Sequence, residues 1–583
     1  MKLIKFIAPL IILLSSCSKD EVTLPQANPM LDLVGKIETN KSRYDPGEDV
    51  IINLFLISSD FESVNVKYKH LTTTLKEEAI IPTGNQLELV WTPPTEDFQG
   101  YSIEFEFIKD GEIVDYGSTA VDVSSDWTKF PRYGFLSKFP VLSSSTIDNY
   151  IKELNAFHIN GLQYYDWHNK HHAPLRMNGT TPANTWQDIA GRNTSFNTVA
   201  EYISAARDYN IASMSYNLLY GVWDDYESDG VSKEWLIFND PDHSNINKHD
   251  LDDNWALSDI YLTNPANRNW QNYIFQKTDT VYQNLDFDGW HIDQLGDRGT
   301  VYDYNGNKIN LRLTFIPFLE NLKLRFPNKK MVLNAVNQYG QLEIANTPVD
   351  FFYTEVWHPN EKYEDLAKII MDNFNFNNEI NTVIAAYVNY DKAENTGEFN
   401  EPAVLMADAV IMSFGGCHIE LGEHMLGKEY FPNDNLSMSV SLKEKLIEYY
   451  DFMVANQNIL RDGGNINLNS GITSNDFTMT NWSPFLGKVS SFKKEFGDKV
   501  VCHLMNFSGL NSLEWRDNLG NQQSPTIKEN VTVSIPAGQV SKVTYASPDW
   551  HDGVQKELEF TISGGKCEVK IPYLEFWGIL IVE

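Results

Sequence analysis

Residues 287–295 read "FDGWHIDQL". Gly289, His291 and Asp293 alternate with Trp290 and Ile292, the period-two rhythm of a β-strand. The stretch follows one helical pattern, "ANRNWQNYIFQKTDTVYQNL", and precedes another, "FIPFLENLKLRF". A strand caught between helices belongs to an α/β layer. Its apolar set should face those helices, so the polar set points to the interior and ends on a carboxylate where strand gives way to loop.

The same unit recurs along the chain. "RYGFLS" (132–137), "NGLQYYDW" (160–167), "IASMSYNLL" (211–219), "KMVLNAV" (330–336), "DFFYTEVW" (350–357), "TVIAAYV" (382–388) and "GCHIELGE" (416–423) read as strands, each followed by a helical segment. Eight βα repeats point to a (β/α)8 TIM barrel rather than an open doubly wound sheet. The flanks carry strand patterns alone. "YSIEFEFIKDGEIV" alternates Tyr101, Ile103, Phe105 and Phe107 with polar residues and turns at Asp110-Gly111, a hairpin signal. The expected architecture is multidomain. A tether occupies 18–33, an immunoglobulin-like β-sandwich 34–125, the barrel 126–475 and a C-terminal β-sandwich 476–583.

The N-terminus carries its own message. Lys2 and Lys5 precede an apolar run from Ile7 to Leu14, too short to span a bilayer, then Ser15-Ser16-Cys17. This resembles a lipoprotein signal peptide over 1–17, with Cys17 as the lipidated residue. Ser18-Lys19-Asp20-Glu21 is similar to a surface-export signal of Bacteroidetes-type lipoproteins. The expected location is the outer membrane or surface of a Gram-negative cell, through a lipid anchor, with secretion through an ordinary signal as the alternative, and the expected state is a monomer. Cys417, Cys502 and Cys567 lack zinc spacing, and buried free thiols are expected over a Cys502–Cys567 disulfide.

With 46 basic and 79 acidic residues among 583, the formal charge is −33. Such a chain repels nucleic acid and other polyanions, which favours a neutral substrate. At the C-terminal ends of barrel strands, polar residues mark the active site. Ser213, Ser215 and Asn217 are read as inward on the third strand, Asn334 as closing the fifth, Tyr353 and Glu355 as inward on the sixth, and His418 and Glu420 on the eighth. Unpaired carboxylates are costly in a core, so a polar ligand is expected among them. Two carboxylates across a barrel mouth suit glycoside hydrolysis. Asp293 has a polar setting that keeps it ionised, and Glu355 an aromatic one that raises its pKa as a general acid requires. Asp297, Glu420 and Glu423 remain competitors. Tyr164, Tyr165, Trp167, Tyr220, Trp223, Trp290 and Trp357 lie near strand ends, where flat faces stack on sugar rings, although half or more should be core. His168, His171 and His172 form a weak metal pattern, and no cofactor or metal is expected. No P-loop, GxGxxG, GxSxG or EF-hand appears.

On "FDGWHIDQLGDRG", "YTEVW", "YYDWHNKHH" and "GGCHIELGE", the chain resembles glycoside hydrolase family 66, the dextranases and cycloisomaltooligosaccharide glucanotransferases. The resemblance implies an α-1,6-glucan substrate, a retaining mechanism, Asp293 as nucleophile and Glu355 as acid/base. Asp166, His168, Asn217, Gln294, Asn334, Trp357, His418 and Glu420 are the expected sugar contacts. The cyclising transferases carry an extra module late in the barrel, for which strands seven and eight leave no room here. An endo-dextranase yielding linear isomaltooligosaccharides is therefore expected; a cyclising transferase and a non-catalytic glycan-binding lipoprotein are the alternatives.

Overall fold

The computed structural model describes residues 30–497 and 499–583. The signal peptide, Cys17 and residues 18–29 of the expected tether lie outside the described residues. The tether reading fails at its end: Leu31 N–H donates to Val114 O at 2.7 Å and Leu33 is buried, so the chain is anchored before residue 34.

Antiparallel sheets open the chain. Val34–Thr39, Val50–Leu56 and Gln86–Trp91 form one, and Ser63–His70, Thr73–Ile80, Gln99–Lys109 and Glu112–Val123 the other. Val50, Ile52 and Leu54 from the first and Val64, Val66, Ile103, Phe105 and Phe107 from the second share one core. The hairpin turns at Asp110 and Gly111, both with positive φ (53° and 79°), and Lys109 pairs with Glu112. A two-residue turn with both φ positive matches the right-handed strand twist, and Asp-Gly tolerates it best.

The central unit holds eight parallel strands: β1 (Tyr133–Leu136), β2 (Gly161–Tyr164), β3 (Ala212–Leu218), β4 (Gly289–Asp293), β5 (Lys330–Leu333), β6 (Phe352–Glu355), β7 (Thr382–Ala385) and β8 (Cys417–His418). Helices follow them in order: α1 (Ser144–Ala156), α2 (Phe196–Asp208), α3 (Arg268–Asn284), α4 (Leu311–Arg325), α5 (Gln341–Ile344), α6 (Tyr363–Phe376), α7 (Glu401–Ser413) and α8 (Val440–Ala455). β1 to β5 form one hydrogen-bonded run and β6 to β8 another, each in sequence order. Isolated parallel bridges, Asn334 to Tyr353 and Phe135 to Gly422, link the runs at both edges. Tyr133, Phe135, Met214, Val332, Phe351, Tyr353, Val383, Ala385 and Ile419 form a core of their own on the strands' inner side. Gly289 opens β4 because a Cβ there would lie 2.2 Å from Lys330 O and 2.7 Å from Met214 Sδ.

The inner set corrects two expectations. On β3 it is Met214 and Tyr216, not Ser213, Ser215 and Asn217, that face inward. Ser213 meets the Tyr164 hydroxyl, Ser215 donates to Gly289 O, and Asn217 donates to His171 O. On β8, Ile419 is inward, while His418 and Glu420 turn to the helix layer.

Beyond α8 the chain is antiparallel again. A seven-stranded sheet centred on Val489–Phe496, Lys499–Asn506 and Trp577–Val582 faces a four-stranded one built on Lys528–Pro536 and Lys566–Leu574. Short strands at Asn465–Asn467 and Thr473–Ser474 already pair into these sheets, ahead of residue 476. Cys502, Leu504, Leu580, Val533 and Ile571 share a core between them. The other face of the larger sheet, with Phe492, Met505 and Trp577, joins the core that contains Phe414 and Phe452 of the central unit. Cys417, Cys502 and Cys567 are buried free thiols.

The N-terminal sheets are fastened by charge. Arg132, just before β1, and Asp122 form a fully buried ion pair at 2.8 Å. Three further guanidinium hydrogens go to the carbonyls of His158, Phe130 and Ser42, and Asp122 also accepts from Ser124 and Gln457. Both Asp122 oxygens therefore have donors, which offsets much of the desolvation of the buried pair.

Candidate active site

Five consecutive strands each deliver one group to the same place. β4 ends on Asp293, whose Oδ2 accepts from the Tyr216 hydroxyl of β3 at 2.7 Å. Its Oδ1 accepts from the Gln294 N–H at 2.8 Å and from Asn334 Nδ2, just past β5, at 2.9 Å. β6 ends on Glu355, whose Oε2 accepts from the same Asn334 Nδ2 at 3.2 Å, while Oε1 accepts from the hydroxyl of Tyr387, beyond β7, at 2.8 Å. The Glu355 N–H in turn donates to Asn334 Oδ1 at 3.3 Å. One amide nitrogen therefore lies between the two carboxyls. Its two N–H bonds diverge by about 120°, which sets the accepting oxygens roughly 5 Å apart and caps their separation at about 6 Å.

The two acids differ in environment. Burial raises the pKa of Asp293, but Tyr216, the Gln294 N–H and Asn334 all donate to its anion and lower it. Burial and then the Asp293 charge push Glu355 up to about 7, against the donors Tyr387 and Asn334. On balance both acids are raised, Asp293 by burial and Glu355 by burial together with the Asp293 charge. His291, the other polar residue of β4, does not join them. Its ring stacks on Tyr133 and meets the Tyr353 edge, its Nδ1 lies 3.2 Å from the Tyr133 hydroxyl, and burial lowers its pKa to about 3. It is a neutral part of the floor.

The remaining expected contacts divide. Asp166 sits beside the site at a positive φ of 49°, and burial pushes its pKa up to about 7 while Arg192 opposes and Asp188 and Asp293 add to it. Trp357 is half-buried at the mouth against Tyr387 and Tyr390, with the Arg516 guanidinium 5.2 Å from its ring centroid. His168 is wholly buried beside Tyr216 and His171, with neither ring nitrogen partnered, so it is closed to a ligand at the mouth. Gln294 is also buried: it donates to Asn334 O and accepts from the Gly296 N–H, which fixes the loop that presents Asn334. Asn217 serves the outer side of β3. His418 bridges Asp408 of α7 at 2.8 Å and Glu420 at 3.3 Å, and Tyr450 of α8 reaches Glu420. Burial alone would lower the His418 pKa, but Glu420 and Asp408 raise it well above its ordinary value. These two residues form a buried charge cluster between helices, not a sugar contact.

The competing acids also resolve. Glu423 receives the Ser137 N–H and hydroxyl, and Asp297 the Gly299 N–H of its own loop. The histidine run disperses: Trp223 donates to His171 and to His172, and His172 meets Asp229. His172, Asp225 and Asp229 have ligand atoms within 4.8 Å of one another, but Lys170 pairs with both aspartates and supplies the positive charge there. Tyr216 and Tyr387, which hold the two carboxyls, were not singled out from the sequence. The parallel register that sets Tyr216 opposite His291 is the signal that would have found the first.

Arg516, in the loop between the C-terminal strands Lys499–Asn506 and Lys528–Pro536, reaches the same mouth. It donates to Val356 O at 2.9 Å and Tyr387 O at 3.4 Å, and so holds the backbone on both sides of Glu355 and its tyrosine partner.

Residues 39–581 match the family model described as glycosyl hydrolase family 66. A cycloisomaltooligosaccharide glucanotransferase of Niallia circulans is 27% identical over 725 residues, with 97% of this chain and 74% of the relative covered. A dextranase of Streptococcus salivarius is 22% identical over 562 residues, covering 82% of this chain and 66% of its own length. The crystal structure of a Paenibacillus sp. cycloisomaltooligosaccharide glucanotransferase complexed with cycloisomaltoheptaose superposes with a TM-score of 0.86 at 26% identity, covering 95% of this chain and 99% of that one.

Proposed function

Because the chain belongs to glycosyl hydrolase family 66, we propose that it is a retaining endo-dextranase, which cuts internal α-1,6-glucosidic bonds and releases linear isomaltooligosaccharides. The observation that carries this is the single Asn334 amide between Asp293 and Glu355. Retaining pairs stand about 5–5.5 Å apart and inverting pairs about 6.5–9.5 Å, to admit a water; a shared amide, with its two accepting oxygens close together, supports the shorter spacing.

In this reading Asp293, ionised and held by three donors, attacks the anomeric carbon from the face opposite the departing oxygen. Glu355 gives its proton to the departing glucosyl oxygen as that bond breaks. The covalent glycosyl-enzyme then meets water, whose proton returns to Glu355 while Asp293 leaves. Tyr216 and Tyr387 fix the faces of the two carboxyls, and Asp166 is placed to accept from sugar hydroxyls. Trp357 offers a stacking face beside Glu355. On the other side, Tyr216 lies 5.1 Å from Tyr165, which stacks on Phe431 at 4.4 Å, and the preceding residue, Tyr430, lies 6.1 Å from the half-exposed Trp255. Tyr216 and Phe431 are buried, so the faces open to an uncharged polymer on this side are those of Tyr430 and Trp255.

We read the eight parallel strands as a closed (β/α)8 barrel, on the strength of their sequential order and the bridges at both edges, with two β-sandwiches as flanking domains. Residues 1–17 are read as a lipoprotein signal that anchors the enzyme at the cell surface. The experiment is product analysis on dextran. Early linear isomaltooligosaccharides with α-configured new ends support the proposal, and a β-anomeric first product sinks the retaining mechanism. The second reading, a cyclising transferase, is favoured by the names of the relatives above; products one water lighter than the linear series would establish it. Unaltered dextran, bound but never cut, would leave a glycan-binding protein.

A further inference from the structure

At the opposite end of the strands from Asp293, where β7 begins and the seven-stranded sheet meets α6, a second pocket of about 20 Å³ lies between the central unit and the C-terminal sheets. That volume holds one water or one monatomic ion. Ile370, Phe374 and Ile380 wall it, Arg461 and Lys494 supply its charge, and no acidic side chain lines it. Both cations are buried, at 4% and 3% exposure.

Their hydrogen bonds do not account for them. Arg461 donates through Nη2 to Pro131 O at 2.9 Å, but Nε and Nη1 have no acceptor. Lys494 Nζ donates to Leu460 O alone. Among the described residues neither has a carboxylate within ion-pair distance, since Asp122 is taken by Arg132 and Asp462 by Lys129. Burying a charged group without a counter-charge is among the most expensive acts in folding. Lysine escapes by shedding its proton, and burial lowers Lys494 to about 7. A guanidinium has no such escape. A guanidinium with two unpartnered nitrogens and a lysine, both lining a small pocket that no acid lines, is an arrangement a small anion satisfies.

We infer that this pocket binds a monatomic anion, chloride under ordinary conditions, held by Arg461 and Lys494. The ion completes the joint between the catalytic unit and the C-terminal sheets, far from the reacting groups. It adds stability to the joint and leaves turnover untouched. The inference is independent of the substrate proposed above.

The test uses the protein from residue 18 onward in sodium chloride, sodium bromide or sodium gluconate at equal ionic strength. The melting temperature should stand about 2–4 °C higher in either halide than in gluconate, with kcat on dextran the same in all three. Arg461→Gln and Lys494→Met should each remove the halide increment. Crystals grown in bromide should show an anomalous peak within hydrogen-bonding reach of Arg461 Nη1 and Lys494 Nζ, a reading that stands even if a variant fails to fold. Equal melting in halide and gluconate with no bromide peak would mean that the pocket holds only water. A peak displaced by phosphate, with phosphate the better stabiliser, would overturn the monatomic ion.

Discussion

Replacing Tyr387 with Phe removes one hydroxyl and keeps the ring that packs on Trp357 and Tyr390. The hydroxyl donates to Glu355 Oε1 at 2.8 Å, and it lowers the Glu355 pKa, which burial and Asp293 have pushed up to about 7. A hydrogen bond to an ionised group contributes about 1.5–3 kcal/mol. Glu355 retains some solvent exposure, so the lower figure applies, and about 1.4 kcal/mol is one pKa unit. The donor stabilises the anion, so its loss raises the pKa, to roughly 8 on this scale. In the proposed mechanism Glu355 acts protonated, so activity should fall as pH rises through its pKa. At pH 8 the fraction of acid in working form should therefore increase from about one-tenth to about one-half. The assay is kcat/KM for dextran from pH 4 to 9.5, since that ratio reports the free enzyme. The alkaline limb of Tyr387→Phe should lie about one unit above that of the parent, even if the plateau is lower. An unmoved limb, or one moved to lower pH, would refute Glu355 as the titrating acid held by Tyr387.

Asn334→Ala removes the donor common to both carboxyls, and kcat should fall about 10²-fold with a smaller change in KM, measured at unchanged circular dichroism. Asp122→Asn, or Arg132→Met, breaks the buried ion pair and should cost about 3–5 kcal/mol in denaturant unfolding, while the apolar double replacement recovers much of it. Trp255→Ala should raise KM several-fold for long dextran and leave it unchanged for isomaltotriose, because only a long chain reaches that ring; equal effects on both would remove Trp255 from the glucan path.

The α/β architecture was legible because hydrophobic periodicity is local. "FDGWHIDQL" needs no partner to read as a strand with its glycine, histidine and aspartate on one side, and β4 has that form. The Asp-Gly turn and the order of strands and helices were legible for the same reason. Side assignment failed where polarity was taken as a sign of the interior. On β3 the serines and Asn217 looked like an inward polar set, yet the inner side takes Met214 and Tyr216. Hydroxyls and amides are satisfied cheaply by neighbouring backbone, as Ser215 is by Gly289 O. On β8, Glu420 and His418 were expected at the mouth, but Asp408 and Tyr450, which lie on helices, neutralise and bind them in the outer layer.

By itself, then, the sequence determined which segments are strands, and that Asp293 and Glu355 end two of them. It carried the family too, since motifs such as "FDGWHIDQLG" and "YTEVW" are contiguous. Only the tertiary structure decided that one Asn334 nitrogen stands between the two acids, that tyrosines from β3 and from beyond β7 hold their outer oxygens, and that Arg516 from a C-terminal loop steadies the backbone beside them. These groups lie far apart along the chain and meet through strand register. A shift of one residue would turn every side chain of a strand to its other face. Local periodicity names the strand, but the packing of its neighbours selects the face.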